Sequence, residues 1–225
     1  MKSIQEWQQV LDSTEPAVGR LYRALCEIPF LVAAAPELAA AYTLIRESLA
    51  QGGTLYLVGN GGSMSDALHI SGEMLKSFAI HRPLPGPLQQ ALRRQPDGEA
   101  LLGSLQAGLR AHVLGINPTL LSAVANDLPL AGVACAQELL ALAKPGDVLL
   151  GISTSGKARN IHLALSVAAA IGLKTIALTG RAPNPMSERV DVCIAVPESD
   201  TYRVQETHLM LYHQLCLMLE TSFFS

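Results

Sequence analysis

Five short apolar runs, set between stretches of helical pattern, constrain this chain more than any other feature. They are "TLYLV" (54–58), "HVLGI" (112–116), "DVLLGIS" (147–153), "KTIALTG" (174–180) and "DVCIAVP" (191–197). Most are continuous rather than alternating, as strands buried on both faces of a parallel sheet should be. Helical segments at 63–78, 119–126, 131–143 and 157–171 separate most of them. Strands alternating with helices predict an α/β fold, a doubly wound parallel sheet flanked by helices. With 49% hydrophobic residues but only 4 Phe and 1 Trp, the core has to be built from Ala, Leu, Val and Ile. The 225 residues suit one large domain, 1–225.

Within that domain, residues 1–52 read as helices. "SIQE" near the start is a capping-box signature, Pro16 and Pro36 stand where first helical turns would begin, and Gly52-Gly53 close the third helix. The α/β core is expected over 54–200 and a long final helix over about 201–222. The stretch "HRPLPGPLQQALRRQPDGE" (81–99) has four prolines and a cluster of Arg. It reads as a mobile excursion with a short helix inside, part of an insertion at about 79–111.

Several partner classes are disfavoured. Net charge is −3 with no basic run, which argues against nucleic acid. Cys26, Cys135, Cys193 and Cys216 are scattered without a CxxC pair, as expected for reduced, packed thiols in the cytoplasm. The N-terminus lacks a long apolar stretch, so no signal peptide is expected. No apolar run reaches membrane-spanning length; "AAAPELAAAYTLIRESLA" is interrupted by Pro36, Glu37, Arg46 and Glu47.

Two turns stand out. "GNGGS" (Gly59–Ser63) lies between the first run and a helix, and "STSG" (Ser153–Gly156) lies between the third run and a helix. In open α/β sheets ligands bind beyond the carboxyl ends of the strands. Free backbone N–H groups at a helix start favour an anion, and glycine lets it come close. Each turn alone is also ordinary turn chemistry; two of them, both rich in hydroxyls, point to a phosphate. Neither is GxGxxG nor a GKS/T loop, so a sugar phosphate fits better than a dinucleotide or ATP.

His69 and Glu73 are four apart on the helix that GNGGS opens, hence on one face. The same spacing is what a half-buried polar face would give. The final helix carries Gln205, His208 and His213, where a lone histidine is as readily a packed or capping residue.

GNGGS, the following "SDALHISGE", "ISTSG", "LTG" and "RVQETHLMLYH" together resemble the sugar isomerase (SIS) domain family, and within it the phosphoheptose isomerases, over roughly residues 30–222. The resemblance implies conversion of sedoheptulose 7-phosphate to D-glycero-D-manno-heptose 7-phosphate. It implies zinc held by His69, Glu73, Gln205 and His213, with Glu73 and His213 as the acid–base pair. It also implies substrate contacts from Asn60, Gly61, Gly62, Ser63, Glu73, Asn126, Asp127, Ser153, Thr154, Ser155 and Gln205. Isomerisation through an enediol needs a base over the carbon and an acid at the oxygens, and these residue types supply both. A divalent metal would stabilise the enediolate; imidazole and carboxylate suit zinc, and a Gln amide is a weaker ligand.

Gln205 and His213 are eight apart, about 12 Å along a helix and some 80° around it, so one metal reaches both with difficulty. The expectation is a site at an oligomer interface, consistent with the tetramers of the family. One departure is clear. The family reads STSGNS where this chain has STSGKA. Lys157 either returns anion affinity through its charge, marks a different substrate, or is a solvated first-turn lysine, while Ala158 removes a phosphate-binding hydroxyl. The competing reading is a non-catalytic SIS protein that binds a phosphosugar or another protein, of the type that binds the bacterial replication initiator. Members of that type lack the glutamate and final-helix histidine that this chain has, which favours catalysis. A transcription regulator is not expected, since no helix-turn-helix accompanies the SIS core.

Overall fold

A computed structural model describes residues 1–225. Three helices open the chain: α1 (Ile4–Thr14), α2 (Pro16–Cys26) and α3 (Ala35–Ala50). The expected capping box is present, with the Glu6 N–H donating to Ser3 Oγ and the Ser3 N–H to the Glu6 carboxylate. Pro16 and Pro36 occupy first-turn positions of α2 and α3, where their missing N–H groups cost nothing.

The sheet follows. Its strands are β1 (Leu55–Val58), β2 (Ala111–Val113), β3 (Val148–Ser153), β4 (Lys174–Thr179) and β5 (Val192–Ala195). All neighbours are parallel, in the order β2-β1-β3-β4-β5. Between the strands run α4 (Gly62–Leu75), two short helices α5 (Gly86–Leu92) and α6 (Gly98–Leu102), then α7 (Pro118–Asp127), α8 (Ala134–Leu142) and α9 (Arg159–Ala170), with α10 (Thr201–Phe224) ending the chain. No helix is long and apolar enough to cross a membrane.

The continuous apolar runs are explained by burial on two faces. Leu55, Leu57, Leu150, Ile152, Ile176 and Leu178 point into the larger core, shared with α1 to α4 and α10. Tyr56, Val58, Leu149 and Ala177 point into the smaller core beneath α8 and α9. β2 is shorter than the sequence suggests, because the chain turns at Gly115 (φ +82°), whose N–H donates to the buried Glu138 carboxylate at 2.8 Å.

The insertion differs from expectation at its base. Arg82 is not part of a mobile excursion: its side chain is fully buried and its Nε lies 2.7 Å from Glu220 on α10. The guanidinium also donates to the carbonyls of Met74 and Glu73, both at 2.7 Å, and so satisfies the last turn of α4. The Ala107 N–H to Arg82 carbonyl bond closes the excursion. Leu84 and Gly98 are buried as well, while Arg93, Arg94 and most of the remaining excursion stand in solvent.

Candidate active site

The strand order reverses direction between β1 and β3: the chain steps from β1 to β2 on one side, then back past β1 to β3 on the other. A crevice opens at the carboxyl end of the sheet at such a switch point. GNGGS ends β1 and STSG ends β3, so the sequence places both hydroxyl-rich turns on this crevice. Between them lies a cavity of about 330 Å³ lined by Asn60, Ser63, Ser153, Thr154, Ser155 and Lys157, with Ile152 and Ala158 beneath. Lys157 therefore belongs to this cavity rather than to a remote solvated face.

Two glycines shape the first turn. Gly61 adopts φ +55°, a conformation that side chains avoid. Gly62 begins α4, and a Cβ there would collide with the Gln205 amide, so its bareness lets α10 lie against the turn. Asn60 and Asn160 exchange side-chain hydrogen bonds of 2.8 and 2.9 Å, which ties the first turn to α9.

Further along α4 the proton-handling groups meet. His69 Nε2 lies 3.1 Å from Glu73 Oε1, as the i, i+4 spacing requires, and 3.5 Å from His213 Nε2 of α10. The Glu73 side chain is 15% exposed and that of His69 42%, so the cluster is open on one side. Phe78 packs against His213 with ring centroids 5.4 Å apart. Burial and the neighbouring His69 hold His213 below the ordinary imidazole range, against the pull of Glu73, which keeps it neutral near pH 7 and able to take or give a proton.

Not every expected residue joins. Gln205 lies against Gly62, seven residues before His69 and about 10 Å away along α4, and does not meet His69, Glu73 and His213 within the chain. No group of three or more His, Cys, Asp or Glu side chains in one chain closes around a common metal position. Asn126 and Asp127 stand exposed at the end of α7, hydrogen-bonded to each other at 2.8 Å, and do not line the cavity. His208 is fully buried, and burial pushes it down to about 4, partly opposed by the Thr179 backbone, so it is a neutral core residue.

Two residues here escaped the sequence reading. Tyr212 is 2% exposed and its hydroxyl lies 2.9 Å from His69 Nδ1. Asp66 precedes His69 by three residues, and burial pushes its carboxyl up, with the Tyr212 hydroxyl and His69 acting in the opposite direction. Both were legible only as i, i+3 and i, i+1 neighbours of the expected histidines.

The donor types at this cluster, two imidazoles and a carboxylate, are ones that zinc accepts, although within one chain they do not close around a common position. Beside the cluster, Asp66 Oδ2 is buried and the Tyr212 hydroxyl faces His69 Nδ1.

Known proteins resemble this chain in sequence and fold. SIS domain profiles match residues 29–103 and 124–218. The phosphoheptose isomerase of Geotalea daltonii is 37% identical over 189 residues, 84% of this chain and 85% of its own. That of Thiobacillus denitrificans is 39% identical over 187 residues, 82% of each chain. Among solved structures, a phosphoheptose isomerase from Francisella tularensis superposes with a TM-score of 0.67 at 26% identity, covering 97% of this chain and 98% of that one. The sequence likeness runs across both phosphate turns, α4 and α10 together, and on that ground the chain belongs to the SIS-domain family and, within it, to the phosphoheptose isomerases.

Proposed function

We propose that this enzyme, an aldose–ketose isomerase, interconverts sedoheptulose 7-phosphate and D-glycero-D-manno-heptose 7-phosphate. The observation that carries the reading is the spacing of two chemistries along one helix. The phosphate cavity sits at the start of α4, and the His69–Glu73–His213 cluster lies six to ten residues further, about 9–15 Å along the axis. A substrate held by its phosphate at the turns has to carry its carbonyl that far, which suits a long sugar phosphate and not a triose phosphate.

The roles follow from position. Backbone N–H groups and the hydroxyls of Ser63, Ser153 and Ser155 hold the phosphate, with Lys157 adding charge where Ala158 lacks a hydroxyl. Glu73 takes the proton from the carbon next to the carbonyl and returns it to the neighbouring carbon. His213, neutral near pH 7, moves the proton between the two oxygens. Zinc, held by His69, Glu73 and His213 with Gln205 supplied by a second subunit of a homotetramer, would contribute Lewis-acid stabilisation of the enediolate. What supports a shared site is that Gln205 lies apart from the other three within one chain. Sedimentation should then give a mass near four chains.

The test is incubation with ketose phosphates of three to seven carbons, read by NMR for exchange of the C1 and C2 protons. Exchange only with the longer chains is expected. No exchange with any of them would favour the non-catalytic phosphosugar-binding alternative, which no observation here supports.

A further inference from the structure

The phosphate turn after β3 is held from behind by groups that take no part in the chemistry above. Thr179 Oγ1 donates to the Ser153 carbonyl at 2.7 Å, and the Gly180 N–H to the Thr154 carbonyl at 3.1 Å. These bonds fix the front of the turn to β4 and the residue after it. The rear is different, because the Gly156 carbonyl accepts from a side chain, His162 Nε2, at 2.9 Å. His162 lies on α9, and on its other side the Arg189 guanidinium reaches Nδ1 at 3.0 Å. Arg189 also donates to Ser166 Oγ, one turn along α9, at 2.8 Å, so two bonds fix its fork. Its own N–H donates to the carbonyl of Met186, which is fully buried.

These partners leave the imidazole one tautomer. A carbonyl only accepts, so Nε2 carries the proton; a guanidinium only donates, so Nδ1 is the lone pair. Beyond Gly156 the direction continues. The Gly156 carbonyl shares a planar peptide with the Lys157 N–H, which points the opposite way and donates to Ser155 Oγ at 3.3 Å. Ser155 thereby accepts from behind, and its O–H is left to donate. Ser155 lines the phosphate cavity. Every link from Arg189 inward donates toward that cavity, and hydrogen bonds that run in one direction polarise one another. The hold matters because Gly156 sits at φ +65°, and glycine's freedom lets the peptide after it turn over unless it is fixed.

We propose that Arg189 and His162 are positioning residues for the sugar phosphate: through the Gly156–Lys157 peptide they aim the Ser155 hydroxyl at a phosphate oxygen. A phosphate monoester dianion suits such a relay, since its charged oxygens only accept and gain from each donor polarised toward them. The relay stands where this chain is short of donors, because Ala158, the N-cap of α9, has no side-chain hydrogen bond to give. Neither His162 nor Arg189 lines the cavity, so both act through Ser155. Arg189 is exposed and His162 half-buried, so their loss should cost little stability. The inference rests on the cavity being the phosphate site, as proposed above.

His162→Leu keeps bulk on α9 and removes the donor. KM for the sugar phosphate should rise, and affinity for inorganic phosphate, titrated calorimetrically, should fall, each by about 2–10-fold, the worth of one hydrogen bond. kcat and Tm should stay near wild type. His162→Gln can present an amide nitrogen where Nε2 stood, and should restore most of the loss. Arg189→Met should give a smaller loss, and none when added to His162→Leu, since the relay is already cut. Unchanged KM and phosphate affinity in His162→Leu would overturn the proposal. So would a His162→Gln enzyme no better than His162→Leu, or KM, kcat and Tm failing together, the mark of a packing role. Wild type and Ser155→Ala test the layer beneath. Wild type that binds no phosphate refutes the cavity reading itself; phosphate bound equally by wild type and Ser155→Ala refutes the part of the hydroxyl, and with it the relay.

Discussion

Glu73→Gln should lower kcat by about 10²–10⁴-fold, the usual contribution of a positioned acid or base, and leave KM nearly unchanged. The amide keeps the size of the side chain and its place 3.1 Å from His69, but it cannot take a proton from carbon. KM should be spared because the cavity proposed for the phosphate lies at the other end of α4 and Glu73 does not line it. His213→Ala should show a loss of the same order: His69 is already engaged by Glu73 and Tyr212, and His208 is sealed in the core. The measurement is kcat and KM on a ketose phosphate that wild type turns over, with proton exchange at C1 and C2 followed separately. A Glu73→Gln enzyme with kcat within twofold of wild type would place the base elsewhere. Retained exchange with lost net conversion in His213→Ala would split the two roles as assigned.

What the sequence disclosed follows from what is local. The strands were legible because two-sided burial demands continuous apolar runs, and β1, β3 and β4 carry four to six consecutive buried residues each. The capping box and helix-start prolines were legible because they act within one turn. The phosphate turns were legible because a switch point turns two distant loops into neighbours by a rule of topology. The i, i+4 pair His69–Glu73 needed only the period of a helix. Tyr212 was not legible, because its role depends on how α10 rolls against α4, and a tyrosine beside a histidine looks like core. Arg82 was misread for the same reason. In a proline-rich stretch with Arg93 and Arg94 it looked like solvent-facing charge, whereas its partner, Glu220, is 138 residues away. Asn126 and Asp127 came from family resemblance alone, and nothing within one chain brings them to the cavity.

Arg82→Met should cost about 3–5 kcal/mol, the penalty for leaving one partner of a buried ion pair alone. For a chain of this size that lowers Tm by on the order of 10 °C. The guanidinium is fully buried and spends its donors on Glu220, on Met74 O and on Glu73 O. Glu220 is buried as well and accepts from the N–H groups of Phe78, Ala79 and Ile80. Burial pushes its carboxyl up, but the Phe78 and Ala79 N–H groups and Arg82 outweigh that and hold it below the ordinary carboxylate range. Its folded pKa is therefore depressed, so the stability it contributes is full above the unfolded pKa, about 4.3, and is lost as pH falls through the folded one. Wild-type Tm should drop in that acid window, and Glu220→Gln should flatten the drop while lowering Tm at neutral pH. Arg82→Met with Glu220→Leu removes both charges yet still orphans three N–H groups, so it should not restore wild-type Tm. Arg82→Lys keeps the charge but not the planar fork, and cannot serve Glu220 and both carbonyls at once. Because those carbonyls end the turn that carries Glu73, Arg82→Lys should lose kcat as well as Tm. Thermal and urea unfolding of the variants, with kcat measured well below Tm, test both parts. A Tm shift under about 2 °C in Arg82→Met would mean that the pair does not hold α4 to α10.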